Sequence, residues 1–166
     1  NYLKREFASL PQIAVAIGHD CRNNSDVFAR ITAEVFSANG IKVYLFDALR
    51  PTPEVSFAIR ELGCQSGVMI TASHNPKEYN GYKAYWNDGA QMIAPHDRNT
   101  IIEVNKVTKV EDIHFDARPE LIELIGEDFD RKFIGRVASL SLPQKESIAR
   151  HHDLKIVYTP IHGTGV

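Results

Sequence analysis

The sequence predicts an α/β protein, a three-layer α/β/α sandwich built on a mixed, mostly parallel sheet. Three observations lead there. Short apolar runs that end on turn residues alternate with longer stretches of helical periodicity, at spacings that suit βαβ units with right-handed crossovers. One Asn-Asp-Gly stretch, residues 87–89, sits between "YKAYW" and "AQMI" and signals a hairpin, so one strand is antiparallel. Loops rich in Asn, Asp and Pro follow the apolar runs, where open α/β sheets gather their ligands beyond the strand carboxyl ends.

Taken in order, "NYLKREF" at the start has the pattern of an amphipathic helix and not of a signal peptide. "IAVAIG" (residues 13–18) is a short buried strand closing on glycine. The loop "HDCRNNS" leads to a helix capped by Ser25 or Asp26, with Phe28, Ile31 and Val35 as its expected apolar stripe and a stop at Asn39-Gly40. "IKVYLF" (41–46) is the second strand; "DALRPTP" punctuates the chain, and Pro53 suits the first turn of a helix reaching to about Leu62. Gly63 ends that helix and "GVMIT" (67–71) forms the third strand. Helical patterns resume over 97–106 and from 119 to 150, with breaks near Gly126 and Pro143, and "KIVYT" (155–159) reads as a last strand. Three loops, 18–25, 47–53 and 72–81, are thereby expected on one rim.

Composition narrows the function classes. At 166 residues the chain is long enough for one domain with a sizeable core. Its 43% hydrophobic and 24% charged content is ordinary for a soluble globular protein, and a net charge of −2 gives no sign of a nucleic-acid or membrane surface. No apolar run approaches the roughly 20 residues of a membrane span. Cys21 and Cys64 are too few and too far apart for a disulfide framework or zinc site, so reduced thiols in a cytoplasmic protein are expected.

The stretch "MITASHNPKEYNGYK" (69–83) carries the chemistry. Asn75-Pro76 and Asn80-Gly81 are turn formers, and Ser73 could serve only to hydrogen-bond local backbone. Yet the segment joins a strand's carboxyl end to Lys83. A serine hydrolase is disfavoured: neighbouring side chains on extended backbone point apart, so His74 is poorly placed to activate Ser73, and no Gly-x-Ser-x-Gly elbow is present. A loop serine can instead carry a phosphoryl group, whose roughly −1.5 to −2 charges need cations. Arg22, His74 and Lys83 are candidates, with Arg50 on the same rim.

These residues resemble a known family. Thr71-Ala72-Ser73-His74-Asn75-Pro76 followed by Tyr79-Asn80-Gly81-Tyr82-Lys83 is similar to the phosphoserine loop of the α-D-phosphohexomutases, the phosphoglucomutase/phosphomannomutase family. "IGHDCR" resembles the family's first-strand loop with its active-site arginine, "LRPTPEVSFAIRELG" its following loop and helix, and "IVYTPIHGTG" the opening of its second domain. The segment between "IIEVNKV" and that last strand is most similar to the larger phosphoglucomutase subgroup, which includes phosphopentomutases.

The resemblance implies an intramolecular phosphotransferase that moves phosphate between C1 and C6 of a hexose through a phosphorylated Ser73 and a bisphosphorylated sugar, glucose 1,6-bisphosphate for a glucose substrate. It makes Ser73, His74, Lys83 and Arg22 the catalytic and substrate-binding residues, with Lys83 as base toward the attacking hydroxyl and Arg22 holding the phosphoryl group and Lys83. A phosphoryl oxygen on Ser73 would be a ligand of Mg²⁺. The expected partner is a small sugar phosphate, with phosphopentomutase chemistry the nearest rival. A non-catalytic α/β module that binds a phosphorylated ligand is the alternative from another class. The family's Asp-Gly-Asp-x-Asp-Arg metal loop, its sugar-reading and phosphate-clamping loops and its N-terminal glycine-rich segment are absent from this sequence. Residues 1–152 are therefore expected to be the family's first domain, and 153–166 a linker and first strand of a second, with the remaining domains of the same chain as partners.

Overall fold

The computed structural model describes residues 1–142, 146 and 149–159. Within these, β1 (Ala14–His19), β2 (Lys42–Phe46), β3 (Ser66–Ile70), β4 (Tyr82–Trp86) and β5 (Ile122–Ile125) form one sheet in the order β4-β3-β1-β2-β5. All neighbours pair in parallel except β4, which runs antiparallel to β3. The helices are α1 (Tyr2–Glu6), α2 (Ser25–Ala38), α3 (Thr52–Glu61), α4 (His96–Val104) and α5 (Glu127–Ser139).

The period of two along each strand divides the core into two layers. Val15 and Ile17 of β1 join Val43, Val68, Ile70 and the small residues Ala29 and Ala33 of α2 on one face, where Leu3 and Phe7 from the N-terminal segment also pack. Ala16 and Met69 face the other way, into Phe46, Val55, Ile59 and Phe129 beneath α3 and α5. The sandwich is therefore three layers deep, as the alternating pattern predicts. Gly18 helps to set its thickness: a Cβ there would lie 2.5 Å from Val55 Cγ2, so only glycine lets α3 approach this end of β1. No helix among the described residues is long and apolar enough to cross a membrane.

Five expectations need correction, the first being the cap of α2: neither Ser25 nor Asp26 caps it, the cap position is Asn24, and Ser25 Oγ donates to Asp20 instead. Residues 122–125 form a strand and not a helix; "IELI" is too short to show a period, and its pairing with β2, reinforced by a 2.8 Å Lys42–Glu123 ion pair, decides its conformation. The expected stripe on α2 is not the buried one: Phe28 and Ile31 are 44% and 45% exposed, whereas Ser25, Ala29, Ala33 and Ser37 are buried at a four-residue spacing. The sheet selects the face with the smallest side chains because it brings the helix axis closest. The hairpin's second arm is reduced to a single bridge, Tyr85–Gln91. Residues 155–159 form no strand, and Ile156, Val157 and Tyr158 are exposed, because β propensity without an adjacent ladder does not make a strand. The motif "HGTG" lies outside the described residues.

Candidate active site

Three loops at the carboxyl end of the parallel strands enclose a cleft of about 750 Å³, lined by Asp20–Arg22, by Pro51–Pro53 at the start of α3, and by Thr71 with Ser73–Glu78. The three expected loops thus do meet. Lys83 and Tyr85 project to the same face of β4, and Tyr85 is buried in the α3-side core, which places Lys83 on the cleft side.

Ser73 is exposed at the mouth of the cleft, in the left-handed region with φ 56°. Its amide donates to Thr71 Oγ1 at 3.1 Å, and Lys83 Nζ donates to its Oγ at 2.5 Å. The antiparallel pairing Met69–Lys83 accounts for that contact: the chain leaves β3, turns through residues 71–81, and comes back beside the point of departure. Gly81 lets it do so, since a Cβ there would sit 2.7 Å from the Thr71 carbonyl oxygen. His74 lines the same cleft and is exposed.

Arg22 lies against the serine loop, but it reaches the loop's backbone and not the Ser73 hydroxyl. Its guanidinium donates to the carbonyls of Ser73, Asn75 (2.6 Å) and Pro76 (2.8 Å), with Tyr79 O at 3.4 Å, and its Nε donates to Asp20 at 3.0 Å. Among the described residues four of the five N–H groups of the fork are engaged, and one Nη2–H has no acceptor. Arg50 faces elsewhere. It forms a two-pronged pair with Asp130 of α5 at 2.7 and 2.8 Å and a further contact with Asp47 at 3.1 Å, so it is not a cation of the cleft. Beside it, burial and the neighbouring Asp130 push the Glu54 carboxyl up to about 7, while the hydrogen bond from Arg50 holds Asp130 below the usual range.

Asp20, Ser25 and Asn80 complete the site. Asp20 Oδ1 accepts from the Arg22 amide (3.1 Å) and Ser25 Oγ (2.9 Å), and Asn80 Nδ2 donates to Ser25 Oγ at 2.8 Å. On the sequence alone Asp20 is an ordinary loop residue, with the spacing of Asp, Arg and Ser at 20, 22 and 25 its one signal, and Asn80 is a turn former within the serine-loop motif. For a divalent metal the described residues do not suffice: among them no three His, Cys, Asp or Glu side chains group to hold one, and Mg²⁺ prefers an octahedron of oxygens.

Residues 1–111 match the family model described as phosphoglucomutase/phosphomannomutase, alpha/beta/alpha domain I. The chain belongs to the phosphoglucomutase/phosphomannomutase family. Among its relatives, a Schizosaccharomyces pombe protein named a probable phosphoribomutase is 41% identical over 170 residues, a match that takes in 99% of this chain and 28% of the relative. Staphylococcus haemolyticus phosphoglucomutase is 40% identical over 163 residues, covering 92% of this chain and 28% of the relative. In structure, a phosphoglucomutase/phosphomannomutase family protein from Burkholderia thailandensis superposes with a TM-score of 0.58 over 84% of this chain and 30% of that one, at 21% identity, a likeness of fold. The chain spans about 28% of the length of these curated family members.

Proposed function

We propose that this chain is the phosphoryl-carrying domain of a sugar-phosphate mutase, with Ser73 as the group that is phosphorylated. The observation that carries the reading is the 2.5 Å contact from Lys83 Nζ to an exposed Ser73 Oγ at the mouth of the three-loop cleft. In the transfer, the bond from phosphorus to the Ser73 oxygen breaks as one to a sugar hydroxyl forms. The serine oxygen takes up a proton and the sugar hydroxyl gives one up. Lys83 is in reach of the serine oxygen and exchanges the proton there, so that it is the base toward the attacking hydroxyl when Ser73 attacks in the return transfer and not, as the motif suggested, when the sugar attacks; His74, exposed in the cleft, serves the sugar hydroxyl. The return transfer from the other phosphoryl of a bisphosphorylated sugar restores the ester on Ser73, and the net change is a move of phosphate between C1 and C6 of a hexose. The spare Nη2–H of Arg22 steadies the phosphoryl oxygens. Phosphoryl transfer asks for positioning and charge neutralisation above all, which is what a fixed loop with adjacent cations supplies.

Mg²⁺ would bring further positive charge; on this reading a Ser73 phosphoryl oxygen is one of its ligands and its carboxylate ligands come from other parts of the full-length protein. On this reading residues 1–152 are the first domain, 153–166 lead into a second, and the 166-residue chain alone does not complete the cycle. Relatives bearing both phosphoglucomutase and phosphoribomutase names leave hexose and pentose phosphates as the substrate classes to compare. Intact mass of the full-length protein tests the reading: a species one phosphate heavier, lost in Ser73→Ala together with mutase turnover, is expected. Full turnover in Ser73→Ala, or in the isolated 166 residues, would overturn it. Comparing kcat/KM for glucose, mannose and pentose phosphates then assigns the substrate.

A further inference from the structure

The serine loop is wound around a cation. Four carbonyl oxygens, those of Ser73, Asn75, Pro76 and Tyr79, converge on the single guanidinium of Arg22, an arrangement in which four of the loop's carbonyl dipoles point at one cation. Such a cluster is self-repelling unless a positive charge occupies its centre. A guanidinium can do so only if its plane is fixed, because its donors form a rigid fork. What fixes the plane is Asp20. One of its oxygens accepts from the Arg22 Nε and the other from the Arg22 amide and Ser25 Oγ. Both side chains are nearly withdrawn from solvent, 8% exposed for Arg22 and 13% for Asp20. A second stitch reinforces the first: the Asn23 amide donates to Lys77 O at 3.2 Å, and Asn80 ties the loop's far end to Ser25.

We infer that Asp20 is a positioning residue for Ser73: acting through Arg22, it holds the serine loop in the one conformation that aims the Ser73 hydroxyl at Lys83 and the cleft. This rests on the reading of Ser73 as the phosphoryl carrier. Ser73 sits at φ 56°, where a non-glycine residue persists only when its surroundings over-determine it. The Arg22 bond to the Ser73 carbonyl does so together with the Ser73 amide's bond to Thr71, and Asp20 orients the Arg22 donor. Loss of the Asp20 charge leaves Arg22 free to rotate out of the loop, and the serine relaxes from its aim without leaving the cleft. Binding of sugar phosphate changes little, while the chemical step slows.

The test uses the full-length protein with Asp20→Asn, and with Arg22→Lys, which keeps the charge and removes the fork. Deuterium uptake of residues 73–80 is measured beside that of β1 and β3, together with kcat and KM for the sugar phosphate. In Asp20→Asn, uptake rises in 73–80 and not in the strands, and kcat falls roughly 10- to 100-fold with KM within about twofold. If Asp20→Asn unfolds, the same local uptake in Arg22→Lys supports the clamp. Unchanged uptake and kcat, a raised KM with unchanged kcat, or uptake raised equally throughout the sheet would each overturn it. The uptake arm is independent of catalysis: a loosened loop beside an active Ser73→Ala protein would refute the phosphoserine reading and leave the clamp standing.

Discussion

Ser73 holds a conformation that its own side chain disfavours. A left-handed non-glycine residue costs on the order of 1–3 kcal/mol, and at position 73 that cost is offset by the bonds from Arg22 and to Thr71. Two substitutions that both remove the hydroxyl should therefore differ in stability. Ser73→Gly is expected to be about 1 kcal/mol more stable than Ser73→Ala, since glycine takes positive φ without a Cβ penalty. Urea unfolding of the pair reads this directly, and equal midpoints would show that the loop relaxes its backbone. Lys83→Met keeps the stem of the side chain and removes the donor to Ser73 Oγ; a loss of roughly 10²–10⁴-fold in kcat of the full-length protein is expected, with the fold intact by circular dichroism. At this scale the "TASHNP…NGYK" motif is legible because each residue type has a chemical or turn-forming reason to be there. Asp20 was not legible: a carboxylate whose work is to orient a neighbour looks like any loop aspartate until the guanidinium's other partners are seen.

Elements were legible where pattern and burial agree. The strands β1, β2 and β3 lie within a residue of the apolar runs that predict them. Helix α2 is the instructive exception, since the face that packs is the one with Ala29, Ala33 and Ser37, not the one with the largest side chains. Ala33→Leu should consequently cost about 1–3 kcal/mol by overpacking against the sheet, whereas Phe28→Ser should stay within about 0.5 kcal/mol; thermal melts of the two variants rank them, and the reverse order would mean that the helix has rotated. The junction of α3 with α5 gives a pH dependence. Glu54 is 3% exposed, its Oε1 has no hydrogen-bond partner among the described residues, and its carboxyl is raised from 4.5 to about 7, chiefly by burial and then by Asp130. A raised carboxyl keeps its proton in the folded state where the unfolded chain has already released it. Its contribution to stability is therefore largest below about 4.5 and declines as pH rises through about 7. Asp130, held low by Arg50, acts in the opposite sense and loses its contribution as pH falls. Glu54→Gln should flatten the decline between about pH 4.5 and pH 7, measured by urea midpoints; an unchanged slope would exclude Glu54 as its source.

For the molecule as a whole, one sheet with a core on each face is expected to unfold as a unit. Ile17 lies fully buried on the α2 side and Phe129, 5% exposed, on the α3 side. Ile17→Ala and Phe129→Ala should each cost about 2–5 kcal/mol and shift far-UV and near-UV melting curves together; separate transitions for the two faces would break this expectation. By itself the amino-acid sequence determined the α/β alternation, the antiparallel excursion after the third strand, the family, and the loop that carries the candidate serine. These are local properties: periodicity, turn chemistry and a motif read from adjacent residues. Only the tertiary structure decided that "IELI" is an edge strand, that α2 buries its small residues, that Arg50 turns to Asp130, and that Arg22 spends its donors on loop carbonyls. Each of those outcomes is a competition between partners distant in sequence, and the winner is set by which surfaces the fold brings within reach.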